Sequence, residues 1–377
     1  MNILNRIMAL CSVMTLFSCV QGNTQINRNE NPLASYTKLE PFQNGFAPVE
    51  MNKLSGYIDK KGRNVVPCKY NFVYGFYKGL SVVEVNKKHG VVDSTGREIV
   101  PLKYDFIDGF DESNRALVKL AGKWGYIDRK GNEVIPVIYD HASYFREEIT
   151  TVEENGQWYI MDTMNNRKPV QYDVYKLGSF NDGLASISLY GQSGKGYINK
   201  QGKIVIAPQY DYVYDFKEGL GMVKRDEKAG FINKKGEVVV PLLYDGYPDF
   251  INGMAAVHLK DSENYGFINK KGTLVIPMKY TGLHDFYDGL AIVSVSGKYG
   301  CINKKGETVI PFSYDQMYSG EGNFAVMKGG KGYYIDTKGK VLFPEVYQDV
   351  YAFKDGVALV KQNGSWFYID KKGKRLF

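Results

Sequence analysis

The stretch Trp124-Gly125-Tyr126-Ile127-Asp128-Arg129-Lys130-Gly131 sets the pattern for most of the chain. Its last four residues recur in ten copies, with Asp or Asn first in every copy and Gly fourth in all but one, where Asn165 replaces it. An Asp or Asn side chain accepts backbone hydrogen bonds in a type I turn, and a fourth residue with positive φ returns the chain to a strand. Gly adopts that φ without a Cβ penalty, and Asn is the next most tolerant residue. The pattern therefore predicts ten structural turns, with glycine at Gly62, Gly96, Gly131, Gly202, Gly236, Gly272, Gly306, Gly339 and Gly373.

The turns belong to tandem units of about 34 residues that fill residues 39–377. The residue aligned with Gly125 recurs at spacings of 33 to 37 residues, and in most units a Tyr and then a Phe follow it at fixed distances. Each unit reads as three short strands, for example 289–295, 299–303 and 307–311. The sequence predicts an all-β tandem array of about ten three-stranded β-meander repeats. Because propellers typically have four to eight four-stranded blades, an open twisted superhelix is favoured, with a closed propeller-like ring as the alternative.

Residues 1–18 have the composition of a secretory signal peptide. Arg6 supplies a positive charge, and Ile7 to Phe17 form an apolar run too short to span a bilayer. Residues 19–38 are polar and rich in Asn, which predicts a flexible tether. Residues 39–377 form the repeat domain.

Leu16-Phe17-Ser18-Cys19 resembles the lipobox of bacterial lipoproteins. The resemblance implies cleavage before Cys19 and acylation of its thiol, which would anchor the protein to a bacterial membrane. The alternative is an ordinary signal peptide with an incidental cysteine. Residues 20–23 lack the acidic residues that serve some groups as a surface-export signal, which favours the periplasmic face of the outer membrane over the cell surface.

The nonapeptide Lys123 to Gly131 resembles the signature of the WG-repeat (KWG repeat) family, and the resemblance covers about nine-tenths of the chain. Only Trp124 is followed by Gly, and other residues fill that position in the remaining units, for example His89 and Ala229. The resemblance implies a β-rich repeat of the kind found on secreted or membrane-associated bacterial proteins, and it implies no common activity.

The formal net charge is +7, and lysines concentrate at the tips of the predicted turns. In stacked units these tips would align as a basic edge that attracts an anionic ligand or an envelope protein. The alternative is that the lysines protect strand edges and keep the protein soluble. Nucleic acid is not expected as a partner outside the cytoplasm, and the oligomeric state stays open. The candidate basic edge consists of Lys234, Lys235, Lys270, Lys271, Lys304 and Lys305.

The sequence contains no recognisable catalytic, cofactor-binding or metal-ligand motif. Its four histidines fall at different positions of the repeat, and Glu147-Glu148 with Glu153-Glu154 form an acidic patch that reads as a solvated face. Insertions at 191–194 and 261–264 mark loops on one side of the array. These features predict a membrane-anchored, non-enzymatic interaction protein without a cofactor. The alternative is a hydrolase that processes envelope glycans or peptides on a repeat scaffold.

Overall fold

The computed structural model describes residues 33–284 and 286–377, and the regular structure in these ranges is entirely β. The predicted signal peptide and Cys19 lie outside the described residues. The described residues form no helix long and apolar enough to cross a membrane. Leu33, which falls within the predicted tether, is buried in a cluster with Phe42 and Tyr368. Leu33, together with the partly buried Tyr36, therefore packs against the folded body.

Ten small antiparallel sheets, blades 1 to 10, follow one another along the chain. The first strands of the blades are Lys38–Leu39, Phe72–Val73, Phe106–Ile107, His141–Ala142, Val174–Asn181, Tyr212–Lys217, Phe250–Ile251, Gly282–Leu283, Gln316–Ser319 and Asp349–Val350. The second strands are Phe46–Met51, Leu80–Val85, Arg115–Leu120, Ile149–Glu154, Leu184–Leu189, Leu220–Arg225, Met254–Val257, Leu290–Val295, Asn323–Lys328 and Val357–Gln362. The third strands are Leu54–Asp59, Lys88–Asp93, Lys123–Asp128, Gln157–Asp162, Lys195–Asn199, Lys228–Asn233, Tyr265–Asn269, Lys298–Asn303, Lys331–Asp336 and Ser365–Asp370. The fourth strands, present in blades 1 to 8, are Asn64–Tyr70, Glu98–Tyr104, Glu133–Tyr139, Arg167–Pro169, Ile204–Tyr210, Val238–Tyr244, Leu274–Tyr280 and Thr308–Tyr314.

The predicted three strands of each unit correspond to the second, third and fourth strands of a blade, where the fourth is formed. The first strand was not predicted, because it has only two residues in seven of the ten blades and so is too short to show alternation. Both faces of the second strand are buried, as in the consecutive residues Ala291, Ile292 and Val293. Because a neighbouring blade covers each face of the sheet, the second strand does not alternate between buried and exposed residues.

The ten repeated turns connect the third strand to the residues that follow it, and we call them Asx turns. In the first copy the amide of Lys61 donates to Asp59 Oδ1 over 2.9 Å, and the amide of Gly62 donates to the Asp59 carbonyl over 2.9 Å. All nine glycines at the fourth position have φ between +75° and +85°, and Asn165 has φ of +67°. Each turn therefore has the left-handed residue that the pattern requires.

The glycine aligned with Gly125 lets the fourth strand approach the third. A Cβ on Gly56 or Gly266 would lie 2.3 or 2.5 Å from a carbonyl oxygen of the fourth strand. Blades 4, 9 and 10 have Tyr159, Tyr333 and Phe367 at this position. Their fourth strand is three residues long in blade 4 and is not formed in blades 9 and 10. A side chain at this position thus accompanies the loss of close strand packing.

Neighbouring blades pack through a repeated pair of aromatic rings. A Tyr or Phe of one third strand contacts a Phe that lies in or just after the first strand of the next blade, with ring centroids 4.6 to 4.9 Å apart. Seven interfaces have this pair: Tyr57–Phe76, Tyr126–Phe145, Tyr197–Phe216, Phe231–Phe250, Phe267–Phe286, Tyr334–Phe353 and Tyr368–Phe42. A tyrosine also donates its hydroxyl to a carbonyl of the next blade, as Tyr197 does to Tyr214 over 2.7 Å.

The last of these pairs closes the ring between blade 10 and blade 1. Tyr368 packs on Phe42 at 4.9 Å and donates to the Glu40 carbonyl over 2.7 Å, which repeats the contact made inside the ring. The amide of Gly45 also donates to Asp355 Oδ2 over 2.7 Å. The all-β tandem repeat is confirmed, and its ten blades form a closed propeller. The alternative arrangement is therefore the one adopted and the open superhelix is not, because the two end blades complement each other as any two neighbours do.

Candidate functional site

The first strands and the turns that follow them surround the axis of the ring. We call the turn between the first and second strands of a blade the axial turn. A cavity of about 1270 Å³ is bordered by axial-turn residues from the six consecutive blades 2 to 7. A space that touches the same turn in six successive blades has to lie on the axis. The axial turns lie at the same end of the ring as the Asx turns. In blade 1, for example, Phe46, which begins the second strand after the axial turn, pairs with Asp59, which begins the Asx turn. The cavity therefore opens at that end.

The axial cavity is rich in carboxylates, and we call these residues the acidic mouth. The acidic mouth consists of Asp108, Asp111, Glu112, Glu147, Glu148, Asp182 and Glu218. Within the described part of the chain, all but Glu147 and Glu218 lack an ion-pair partner. Burial raises the pKa of Asp111, although its carboxylate accepts the backbone N–H of Arg115 over 3.0 Å. Among the described residues that line this cavity, only Arg146 and Lys217 carry positive charge, so the cavity favours cations.

Some carboxylates of the axial turns link one blade to the next. Glu218 in blade 6 pairs with Lys270 in blade 7 over 2.9 Å and accepts the amide of Gly253 over 3.0 Å. Glu321 pairs with Lys371 in the same way over 2.9 Å, and this hydrogen bond lowers the pKa of Glu321 against a smaller opposing effect of burial. The first lysine of an Asx turn thus reaches inward to the preceding blade.

The six lysines of the candidate basic edge are all exposed, and they come from three consecutive blades. Lys270 pairs with Glu218, and Lys304 donates to the Asn252 carbonyl over 2.7 Å, so these two bind neighbouring blades. Among the described residues, the ammonium groups of Lys235, Lys271 and Lys305 have no ion-pair partner. The lysines of the Asx turns therefore lie at the same end of the ring as the acidic axial turns, and two of them contact those turns, which the sequence did not predict.

A second cavity of about 980 Å³ lies between blades 8, 9, 10 and 1, and we call it the tyrosine cavity. Its lining includes Tyr287, Tyr318 and Tyr351, whose exposed fractions are 67%, 43% and 43%. Apolar side chains such as Ile292 and Phe324 form part of its wall. Exposed aromatic rings in a concave apolar setting are typical of ligand sites.

The tyrosine cavity lies where the aromatic pair of the blade interfaces is missing. Blade 8 has Cys301 in place of the Tyr or Phe, and the axial turn of blade 9 has Gly320 where its neighbours have a Phe. Cys301 is fully buried with its Sγ 3.8 Å from Met317 Sδ, and burial raises the pKa of its thiol to about 12. Both rings are absent from this interface, where Gly320 and Met317 border the cavity and Met317 packs against Cys301. The sequence carried this signal: Val91, Ile160 and Cys301 each interrupt the aromatic column, and after Cys301 the following Phe is missing as well.

The polar groups of the tyrosine cavity differ in how many hydrogen bonds they form. Asp349 accepts only the amide of Val350, over 2.9 Å, and Asp288 has no hydrogen-bond or ion-pair partner in the described ranges. Burial and the charge of Asp349 raise the pKa of Tyr318, whose hydroxyl donates to Gln316 Oε1 over 2.9 Å. Two carboxylates are thus available to a ligand.

The remaining candidate residues lie apart from one another. Glu147 and Glu148 belong to the acidic mouth, whereas Glu154 forms an ion pair with Arg167 at a different position in blade 4. The loops at 191–194 and 261–264 join second and third strands, so they lie at the end of the ring opposite the Asx turns. Of the four histidines, only His284 lines the tyrosine cavity. Within the described residues no group of three His, Cys, Asp or Glu could hold a metal ion.

These features define a class: a closed ten-bladed β-propeller with two large cavities in its central region. Within that class, the model of the WG containing repeat family matches nine segments of the chain. The chain therefore belongs to the WG containing repeat family, as the resemblance predicted. The matched segments are 26–54, 56–88, 90–124, 124–158, 196–228, 230–261, 265–299, 299–331 and 334–366.

Solved propeller structures resemble the fold at low sequence identity. A crystal structure of the eukaryotic initiation factor matches with a TM-score of 0.52 and 9% identity, over 85% of this chain and 99% of that one. Dihydro-heme d1 dehydrogenase NirN matches with a TM-score of 0.41 and 13% identity, over 75% and 74%. Hsv2p from Kluyveromyces lactis matches with a TM-score of 0.36 and 10% identity, over 59% and 89%. No match to a curated protein sequence was found. The likeness concerns the fold alone.

Proposed function

We propose that this protein is a membrane-anchored, non-enzymatic binding protein of the bacterial cell envelope whose ligand occupies the tyrosine cavity. The observation that carries the proposal is the cavity beside the interface of blades 8 and 9, which lacks both rings of the repeated pair and is bordered by three exposed tyrosines. Two other blades, with Val91 and Ile160, lack only the ring of the third strand, whereas this interface lacks both rings. Breaks in a consistent pattern are expected at functional sites.

The cavity is suited to a small molecule or to one side chain of a partner protein. Its volume of about 980 Å³ falls at the upper end of the range of ligand pockets. Tyrosine rings give a ligand a large contact area at low cost in conformational entropy, and their hydroxyls remain available for hydrogen bonds. Burial of the exposed ring surface against the ligand would supply most of the binding free energy.

A stability screen tests the proposal. Envelope components such as peptidoglycan fragments, glycans, peptides and polyamines are added singly, and a ligand that binds the folded ring raises its Tm. We expect the shift to disappear in the double variant Tyr318→Ala, Tyr351→Ala. It should persist in Tyr175→Ala, which removes an exposed tyrosine of blade 5 that packs against Tyr190.

A further control variant replaces the six lysines of the candidate basic edge with Gln. A shift lost in that variant and retained in the tyrosine variant would move the binding site to the basic edge and overturn the cavity assignment. Both variants should fold, because they change exposed side chains.

The membrane anchor in this proposal is a lipid on Cys19, and it is independent of the cavity. We expect Cys19→Ala to leave the membrane fraction or to remain as an uncleaved precursor, since a single thiol supplies the attachment. Fractionation with labelled fatty acid measures this. A mature, acylated, membrane-bound Cys19→Ala protein would contradict the lipoprotein assignment, and with it the periplasmic location.

The alternative function is hydrolysis of an envelope glycan or peptide, and one observation favours it. Burial raises the pKa of Asp111 in the acidic mouth and of Asp215 near it, and carboxyls with raised pKa serve as general acids. The Asp215 carboxyl also feels Arg146, which opposes the effect of burial. Turnover of envelope substrates that Asp111→Asn or Asp215→Asn abolishes would establish this alternative and replace the non-enzymatic proposal.

A further inference from the structure

We infer that the tyrosine cavity selects an organic cation, a quaternary ammonium group whose methyl surface packs on the tyrosine rings. This inference rests on the proposed function, since it names the ligand class of the same cavity. It is carried by the rings, the unpaired carboxylates and the charge along the axis.

The three tyrosines provide the faces that such a cation binds. Tyr287, Tyr318 and Tyr351 come from the three consecutive blades 8, 9 and 10, and each ring is at least 43% exposed. The negative face of an aromatic ring attracts a cation, and tyrosine cages are an established way to bind quaternary ammonium groups. The apolar wall formed by Leu290, Ile292 and Phe324 suits methyl groups better than the three N–H donors of a primary ammonium.

Some carboxylates of the cavity pair with a lysine, and others have no cationic partner among the described residues. Glu40 pairs with Lys38 over 2.5 Å, and Glu321 pairs with Lys371 over 2.9 Å. Asp288 and Asp349 have no cationic partner among the described residues. These two carboxylates therefore complement a positive charge held between the rings.

Among the described residues, Lys354 is the one lysine or arginine of the cavity lining, and its charge opposes a cation. It is exposed and has no ion-pair partner in the described ranges, so its ammonium can turn toward water. Because Lys354 and Asp349 carry opposite charges, replacing each in turn tests the sign of the ligand's charge. Removal of Lys354 should favour a cation and removal of Asp349 should disfavour it, whereas an anion would show the reverse and a neutral ligand would show neither.

The axis of the ring strengthens this preference. The acidic mouth, on the neighbouring arc of the same ring, has five carboxylates without an ion-pair partner, although the whole chain carries a formal charge of +7. Low-dielectric walls focus the potential of charges of one sign and raise the local concentration of the opposite ion. Cations should therefore enter the axial region faster than neutral molecules of the same shape.

The experiment compares choline with its neutral carbon isostere, in which carbon replaces the ammonium nitrogen, by calorimetry on the full chain. We expect choline to bind the wild type about tenfold more tightly than the isostere. Asp349→Asn should weaken choline binding several-fold, and Lys354→Gln should strengthen it several-fold. Tyr318→Ala should abolish binding, while Tyr175→Ala, the exposed tyrosine of blade 5, should leave it unchanged. A third probe, Nα-acetyl-lysine amide, presents a primary ammonium and should bind less tightly than choline.

The outcomes separate this inference from the proposed function. Equal binding of choline and the isostere, no binding of choline, or charge effects of the opposite sign would each overturn the cation assignment. Tighter binding of the lysine probe would overturn the preference for a quaternary group. The proposed function would survive these results as long as a ligand from the stability screen still depends on Tyr318 and Tyr351. It fails when ligands bind with no such dependence.

Discussion

At the scale of single residues, glycine is required at two repeated positions for two different reasons. The glycine that ends each Asx turn is needed for its positive φ, and Gly272 has φ of +77°. The glycine aligned with Gly125 is needed because it has no side chain, and a Cβ on Gly266 would lie 2.5 Å from the Ile276 carbonyl oxygen. The first requirement is conformational and the second is steric, so the two respond differently to substitution.

Gly272→Val should destabilise the protein by about 1–3 kcal/mol, because a β-branched residue adopts a left-handed conformation only at high cost. A Cβ at this position would also lie 3.3 Å from Val240 Cγ2 of the preceding blade. The neighbouring change Lys271→Ala removes an exposed side chain and should cost a few tenths of a kcal/mol. Urea unfolding of both variants measures the difference, and equal effects would refute the role of the glycine.

The buried tyrosines of the third strands should make the ring sensitive to alkaline pH. Burial raises the pKa of Tyr57 to about 12, against an ordinary value near 10 in the unfolded chain. Below pH 10 both states hold the proton and the stability is complete. Between pH 10 and about pH 12 only the unfolded state loses the proton, so stability falls by an amount on the order of 2 kcal/mol for this residue. Urea unfolding from pH 9 to pH 12 measures the slope, and Tyr57→Phe should show a shallower one. An unchanged slope would contradict the role of Tyr57.

At the scale of elements, the pairing of third and fourth strands depends on one position per blade. Seven blades have glycine there and a seven-residue fourth strand, whereas the blades with Tyr159, Tyr333 or Phe367 have a short fourth strand or none. A register shift occurs at this glycine in each long pairing, for example between Tyr265 and Phe267. The fourth strand thus passes over the glycine backbone and bends around it.

Gly266→Ala should loosen the fourth strand Leu274–Tyr280 and cost about 1–3 kcal/mol, because the added methyl group meets backbone that has no rotamer to yield. Hydrogen exchange should quicken in this strand and stay slow in the second strand Met254–Val257. The matched control is Gly109→Ala, since a Cβ at Gly109 has no atom within 4 Å and its φ is not positive. A uniform change in exchange across blade 7 would contradict this local role.

At the scale of the whole molecule, the ring is closed by an ordinary blade interface. Within the described residues, blade 1 and blade 10 are each formed from continuous sequence, so no strand there is exchanged between the ends. The closing contacts repeat the aromatic pair, the tyrosine hydrogen bond and the amide-to-carboxylate bond seen elsewhere. Interfaces between neighbouring blades stabilise the closed ring. At nine of them a peptide linker also joins the two blades, whereas at the closing interface no linker does.

Removal of the aromatic pair at the closing interface should therefore open the ring. The variant Phe42→Ala, Tyr368→Ala loses the same pair as the control variant Tyr126→Ala, Phe145→Ala, which lies inside the ring. Both should lose several kcal/mol of stability. Small-angle scattering should show a larger radius of gyration only for the first, because a linker keeps the internal blades at high effective concentration. Equal dimensions for both variants would contradict closure at this interface.

The sequence by itself determined the repeat, its length, the Asx turns with their glycines and the all-β class, because each of these depends on residues a few positions apart. The tertiary structure decided the closure of the ring, the pairing of Lys270 with Glu218, and the two axial cavities. These features join residues about fifty to more than three hundred positions apart, and a local pattern carries no information on which ends meet. The signal at Cys301 was readable as a break in the aromatic column, but only the fold shows that Gly320 removes the partner ring from the same interface.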